Sequence, residues 1–97
     1  MKCIKFKDMK KGALLGFADL EMDSGMIINE CTLLESNGSR WVSPPGKPQI
    51  DKDKQVVFKD GKMQYTAVIA FRDKAVRDKW SAAAVVAIEA FLGGEIA

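Results

Sequence analysis

Apolar and polar residues alternate along the first half of the chain and change period near its end. Between Asp73 and Leu92, Val76, Trp80, Ala83, Ala84, Ala87, Ile88 and Phe91 recur at steps of three and four. On a helix that spacing forms one stripe. Asp73 is placed to cap the first free amides, and Gly93-Gly94 ends the run because glycine accepts a left-handed conformation at a helix terminus. Lys74, Asp78, Ser81 and Glu89 fall on the opposite side, together with Val85 and Leu92, and with Val86 on one flank. These apolar residues read either as scattered surface positions, which are ordinary, or as part of a two-fold dimer interface.

Upstream the period is two. Cys3–Lys7 places Ile4 and Phe6 against Lys5 and Lys7, the pattern of a half-buried strand, and Lys10-Lys11-Gly12 reads as a turn. Ala13–Met22 puts Leu14, Gly16, Ala18, Leu20 and Met22 on one face and Leu15, Phe17, Asp19 and Glu21 on the other. A glycine inside such a strand marks a bulge or a close approach to the backbone. Asp23-Ser24-Gly25 turns the chain into Met26–Glu35, and Asn37-Gly38 is a hairpin signal leading to Ser39–Ser43. Pro44-Pro45-Gly46-Lys47-Pro48 interrupts the sheet pattern, so residues 44–54 read as an exposed loop. Gln55–Lys59 and Lys62–Phe71 flank a second turn at Asp60-Gly61, and the final strand, apolar on both faces, is expected to run beneath the helix. The order predicts an α+β domain: an antiparallel meander and hairpin sheet of four to six strands, with one C-terminal helix packed on it.

With 97 residues, the chain is expected to be one small domain over 1–97, for which oligomerisation adds useful burial. Its 47% apolar content argues against disorder. No apolar run reaches bilayer length, and Met1–Lys11 is alternating and basic, unlike a signal-peptide core; a cytoplasmic protein is expected. Cys3 and Cys31 are too few for a disulfide framework and read as buried small residues.

Candidate chemistry is sparse. Histidine is absent, so a near-neutral acid–base group is missing and neither cysteine has an imidazole partner. Asp19, Glu21 and Asp23, or Asp51 and Asp53, could touch magnesium, but solvated carboxylates are the plainer reading. No phosphate-loop pattern follows Gly12 or Gly16. The expectation is a binding protein without catalytic residues, metal or cofactor. The net charge of +2 is mild, yet Lys2, Lys5, Lys7, Lys10 and Lys11 cluster at the start, and Arg40, Lys47, Lys52, Lys54, Lys59 and Lys62 form a second zone. Such zones are most often solvated surface. A sheet face with lysines for phosphates and rings for unpaired bases is the alternative, and Arg40-Trp41 with Lys47 supplies both ingredients. The nucleic-acid candidates are therefore Lys5, Lys7, Lys10, Lys11, Arg40, Trp41, Lys47, Lys59, Lys62 and Tyr65, and the dimer candidates are Val85, Val86 and Leu92. Trp41 and Tyr65 read equally as packing residues.

The run Leu14-Leu15-Gly16-Phe17-Ala18-Asp19-Leu20, then Met26–Leu34, Asn37-Gly38 and Trp41-Val42-Ser43-Pro44-Pro45-Gly46-Lys47, resembles the SpoVG family of small bacterial nucleic-acid-binding regulators. Gly46 stands where that family's Pro-Ser-Lys segment has serine. In element order and surface character the chain is also similar to the positive cofactor four family of coactivators, in which dimers bind single-stranded DNA on basic, aromatic-bearing strands. Both resemblances imply a dimeric nucleic-acid binder. They differ in the surface used, sheet and loops in one case and helix-associated residues such as Arg72, Lys74, Arg77 and Lys79 in the other. The expectation is a homodimeric single-stranded DNA binder of little sequence specificity, serving transcription or DNA transactions. The alternatives are a SpoVG-like regulator of duplex DNA or RNA and a protein–protein adaptor.

Overall fold

In the computed structural model, described over Met1–Gly93, the expected α+β architecture is present. Strands β1 (Lys2–Lys11), β2 (Leu14–Glu21), β3 (Ile27–Ser36) and β4 (Ser39–Ser43) form an antiparallel sheet in chain order. Helix α1 (Lys74–Phe91) approaches the backbones of β1 and β4, the two edges of that sheet. The sheet thus curls around the helix, and the core fills the trough between them. Leu20, Leu33, Cys31 and Ile88 are its largest fully buried side chains, with Cys3, Ala18, Ile28, Val42 and Ala84 around them.

Local chemistry accounts for the boundaries. Asn37 (φ 52°) and Gly38 (φ 81°), and again Asp60 (φ 53°) and Gly61 (φ 76°), adopt the paired positive φ of tight hairpin turns. The Asp73 carboxylate accepts from the Val76 amide at 2.9 Å, and Gly93 (φ 89°) closes the helix. Gly94 lies outside the described residues. Gly16 meets the expectation for a strand glycine: the pairing of β2 with β3 shifts register beside it. A Cβ there would lie 2.4 Å from the Lys7 carbonyl oxygen and 2.5 Å from the Phe6 ring.

Four details depart from the sequence pattern. A register shift between Cys3 and Lys5 breaks the alternation of β1, so Cys3 and Phe6 share the core side while Ile4 is exposed. The strand also runs on to Lys11, leaving the turn to Gly12 and Ala13. The buried face of α1 is turned toward Ser81 and Val85. Ala83 and Phe91 are exposed, whereas Ser81 and Glu89 face β4. Both polar residues find partners on that edge strand, which hydropathy does not register: the Ser81 hydroxyl accepts from the Val42 amide at 2.8 Å, and Glu89 pairs with Arg40.

The region from 44 to 54 is only partly a loop, and the last strand does not run under the helix. Strand β5 (Gly46–Pro48) pairs with β8 (Tyr65–Ala67), and β6 (Phe58–Lys59) pairs with β7 (Lys62–Met63). An Ile50–Val56 bridge and bonds from Gln49 N to Gln64 O (2.8 Å) and Val57 N to Gln49 O (2.9 Å) bind these pieces into a narrow arm. Pro48 is tolerated because β5 is an edge strand, where its missing donor costs no ladder bond. Past the arm, Val68 is exposed, and only Ile69 and Phe71 turn inward as the chain approaches α1. The arm lengthens the molecule to 45 × 31 × 24 Å with a radius of gyration of 14.5 Å. A compact domain of this length has about 12.5 Å.

Candidate nucleic-acid interface

Cross-strand partners share a face, so register alone lays out the side of the sheet away from the helix. One row runs Lys7, Phe17, Thr32, Ser43 across the four strands. A second runs Lys11, Leu14, Leu34, Trp41. In a third, Lys5 lies opposite Asp19, and at the end of the strand Lys2 lies opposite Glu21. Lysines therefore line the β1 margin, Phe17 stands one strand in, and Trp41 lies on the opposite margin. The direct partners of Lys7 and Lys11 are apolar, leaving their charge unanswered in register; Lys5 and Lys2 face carboxylates.

Trp41 is 38% exposed on this open face, at the β4 margin beside Pro44. Lys10 sits at the irregular end of β1, 3.8 Å from Asp8. Lys47 lies on β5, and Lys59 and Lys62 lie directly opposite each other at the arm tip, an arrangement that is repulsive unless an anion is near. Tyr65, 63% exposed, stands at the arm base.

Arg40 is placed differently from its neighbours. It is on the helix side of β4, paired with Glu35 and, at 3.4 Å, with Glu89. The hydrogen bond to Glu35 raises its already high pKa further. Its charge ties β4 to α1 and is not presented on the open face. Of the dimer candidates, Val86 is 65% exposed and Leu92, at the helix C-cap, is exposed as well, whereas Val85 packs on the core. With Ala82, Ala83 and Ala90, Val86 forms an outward apolar stripe.

Among the described residues, two adjoining cavities open on the sheet face. The larger, about 740 Å3, lies between Phe17 and Thr32 on the sheet, Pro44-Pro45, the Tyr65–Ala67 strand, Phe71 and Arg77. The smaller, about 330 Å3, is lined by Lys5, Lys7, Asp19 and Asn29. Phe17 and Glu30 line both, joining them into one groove. Glu30 is a non-glycine residue at φ 58°, set at the irregularity between β2 and β3, with its amide held by an Asp19 carboxylate oxygen at 2.9 Å. Phe17, Glu30 and Phe71 were not among the sequence candidates. The available signal was the alternation that places Phe17 with Asp19; the position of Glu30 depends on a bulge that alternation cannot anticipate.

Among the described residues no group of three or more histidine, cysteine or acidic side chains is placed to hold a metal. The thiols are buried in the core: desolvation pushes Cys31 up to about 12 and raises Cys3 as well, so neither is a nucleophile at neutral pH. No helix among the described residues is long and apolar enough to cross a membrane. Comparison with family models, curated proteins and solved structures gave no match.

Proposed function

We propose that this protein binds single-stranded nucleic acid, with little sequence specificity, through the sheet face opposite its helix, and acts as a homodimer in transcription or DNA transactions. The observation that carries the reading is the register: Lys7 and Lys11, unanswered by carboxylates, stand beside a face bearing Phe17 and Trp41. Lysines neutralise phosphates and rings stack on unpaired bases, each stacked base contributing about 1–3 kcal/mol. The outward stripe around Val86 is the dimer face in this reading. Asp19 and Glu30 moderate the charge of the sheet, which favours weak, salt-sensitive binding.

Anisotropy of a labelled single-stranded oligonucleotide, titrated with salt, tests this. Affinity should fall linearly on logarithmic axes, and Lys7→Gln with Lys11→Gln should lower the slope by about 0.7 per lost phosphate contact. Duplex DNA is expected to compete poorly. Salt-independent binding, or none, sinks the reading. A second reading has one specific observation behind it: Ile50 and Phe58 on the arm are 59% and 61% exposed, as an adaptor for a protein partner would require.

A further inference from the structure

The groove formed by the two cavities is more particular than an open stacking platform. Its larger part, about 740 Å3, falls in the range of small-molecule sites. Phe17 from the sheet, Tyr65 from the arm and Phe71 from the segment before α1 all line it, and Phe71 packs on Trp80 at a ring-centroid distance of 5.4 Å. Each cavity carries a cation: Lys7 lines the smaller one, and Arg77, in the first turn of α1 and 3.5 Å from Asp78, lines the larger. A helix N-terminus adds its own positive potential there. Glu30, strained in the left-handed region, lines both parts of the groove. Bulges of this kind re-aim a side chain next to functional sites, and strain is retained where the surroundings enforce it.

Resting on the reading of single-stranded binding above, we infer that this groove takes one unstacked nucleotide unit, its base among Phe17, Tyr65 and Phe71 and its two flanking phosphates on Lys7 and Arg77. Glu30 gives the site a preference. A carboxylate accepts from the exocyclic amine of adenine, cytosine or guanine and repels the carbonyl oxygen that thymine presents instead. An apolar peptide fits less well, because it would bury the Glu30 carboxylate without a donor and leave Lys7 without an anion.

Trp80 packs against Phe71 of the lining, so its emission reports occupancy through that ring. The chain has two tryptophans, and a Trp41→Phe variant leaves Trp80 as the sole emitter. Titration of that variant with deoxyadenosine 3′,5′-bisphosphate should give a saturable change in emission, with thymidine 3′,5′-bisphosphate at least fivefold weaker. Glu30→Gln, able to donate as well as accept, should erase that difference. Phe17→Ala should weaken binding about tenfold, and Tyr65→Ala, at an exposed position that leaves the core intact, should do so as well. An equal response to inorganic phosphate overturns the site as a base pocket. So does a flat titration in a protein that still binds an oligonucleotide, which leaves the broader reading standing; failure of both removes the two together. A Tyr65→Ala variant that alters sedimentation but not nucleotide affinity places a second copy of the chain in the groove and likewise overturns the assignment.

Discussion

The body of the molecule and its arm use the same residue types to opposite ends. In the body, formed by β1–β4 and α1, Leu20, Leu33, Ile88 and Cys31 are shut off from water, and none of the described buried side-chain polar atoms lacks a partner. In the arm between Gly46 and Ala67, Ile50, Val56, Phe58, Met63 and Tyr65 are all exposed, and the strands pair in two-stranded ribbons with no layer behind them. A lone two-stranded ribbon is marginal in water. The body's apolar residues specify the fold. Those of the arm contribute little to it and are available for something outside the chain.

The largest contrast is in stability. Leu33→Ala should cost about 2–5 kcal/mol in denaturant unfolding, because it removes buried contacts and leaves a cavity between sheet and helix. Deleting residues 49–64 and closing Pro48 to Tyr65 with an Asn-Gly turn should leave the midpoint of the body nearly unchanged. A body that unfolds without its arm would end the comparison, since the arm would then be part of the core's support.

Ser81→Ala probes the seam between helix and sheet and should cost about 1–3 kcal/mol by the same measurement. The Val42 amide loses its acceptor at an edge where β3 is on the other side. An effect near zero would mean that water replaces the hydroxyl without penalty.

That seam also marks how far the sequence could be read. The strands, both hairpin turns, the Asp73 cap and the role of Gly16 were legible because each depends on local backbone chemistry or on alternation over a few residues. The orientation of α1 was not, because Ser81 and Glu89 look solvent-facing until Val42 and Arg40 are brought against them. The arm was legible only in part. Three prolines and an alternating tail suggest a loop and a core strand, and neither suggests that they pair with each other away from the core. Of the site, Lys5 and Lys7 followed from alternation in β1, whereas Lys11 reads as part of a turn, and the groove required the register of β2 with β3, the Glu30 bulge and the arm.

The core thiols supply a pH test confined to the body. Folding raises Cys31 from an ordinary 9.0 to about 12 by desolvation, so the folded state keeps it protonated where the unfolded chain ionises it. The stabilisation is fully present below pH 9 and is lost as pH rises through the interval up to the folded value, about 1 kcal/mol of it by pH 10. Cys31→Ala should flatten that part of the profile, and iodoacetamide should leave both thiols unmodified until the protein unfolds. Rapid alkylation of Cys31 in the native protein would show that the trough opens without global unfolding.

The smallest effect is the most discriminating one. Phe58→Ser removes a large ring from the arm, and in the body such a change would cost about 3–5 kcal/mol. Phe58 is 61% exposed on a strand of two residues, and its cross-strand partner Met63 is exposed too, so the ring covers little that the solvent does not already reach. The expected change in unfolding free energy is within about 0.5 kcal/mol. A cost above about 2 kcal/mol would require the ring to be buried in solution, and in a monomer the arm has no surface behind Phe58 to bury it. Such a result, if it also depended on protein concentration, would mean that a second molecule covers the arm and that the contrast between the two regions holds only for the isolated chain.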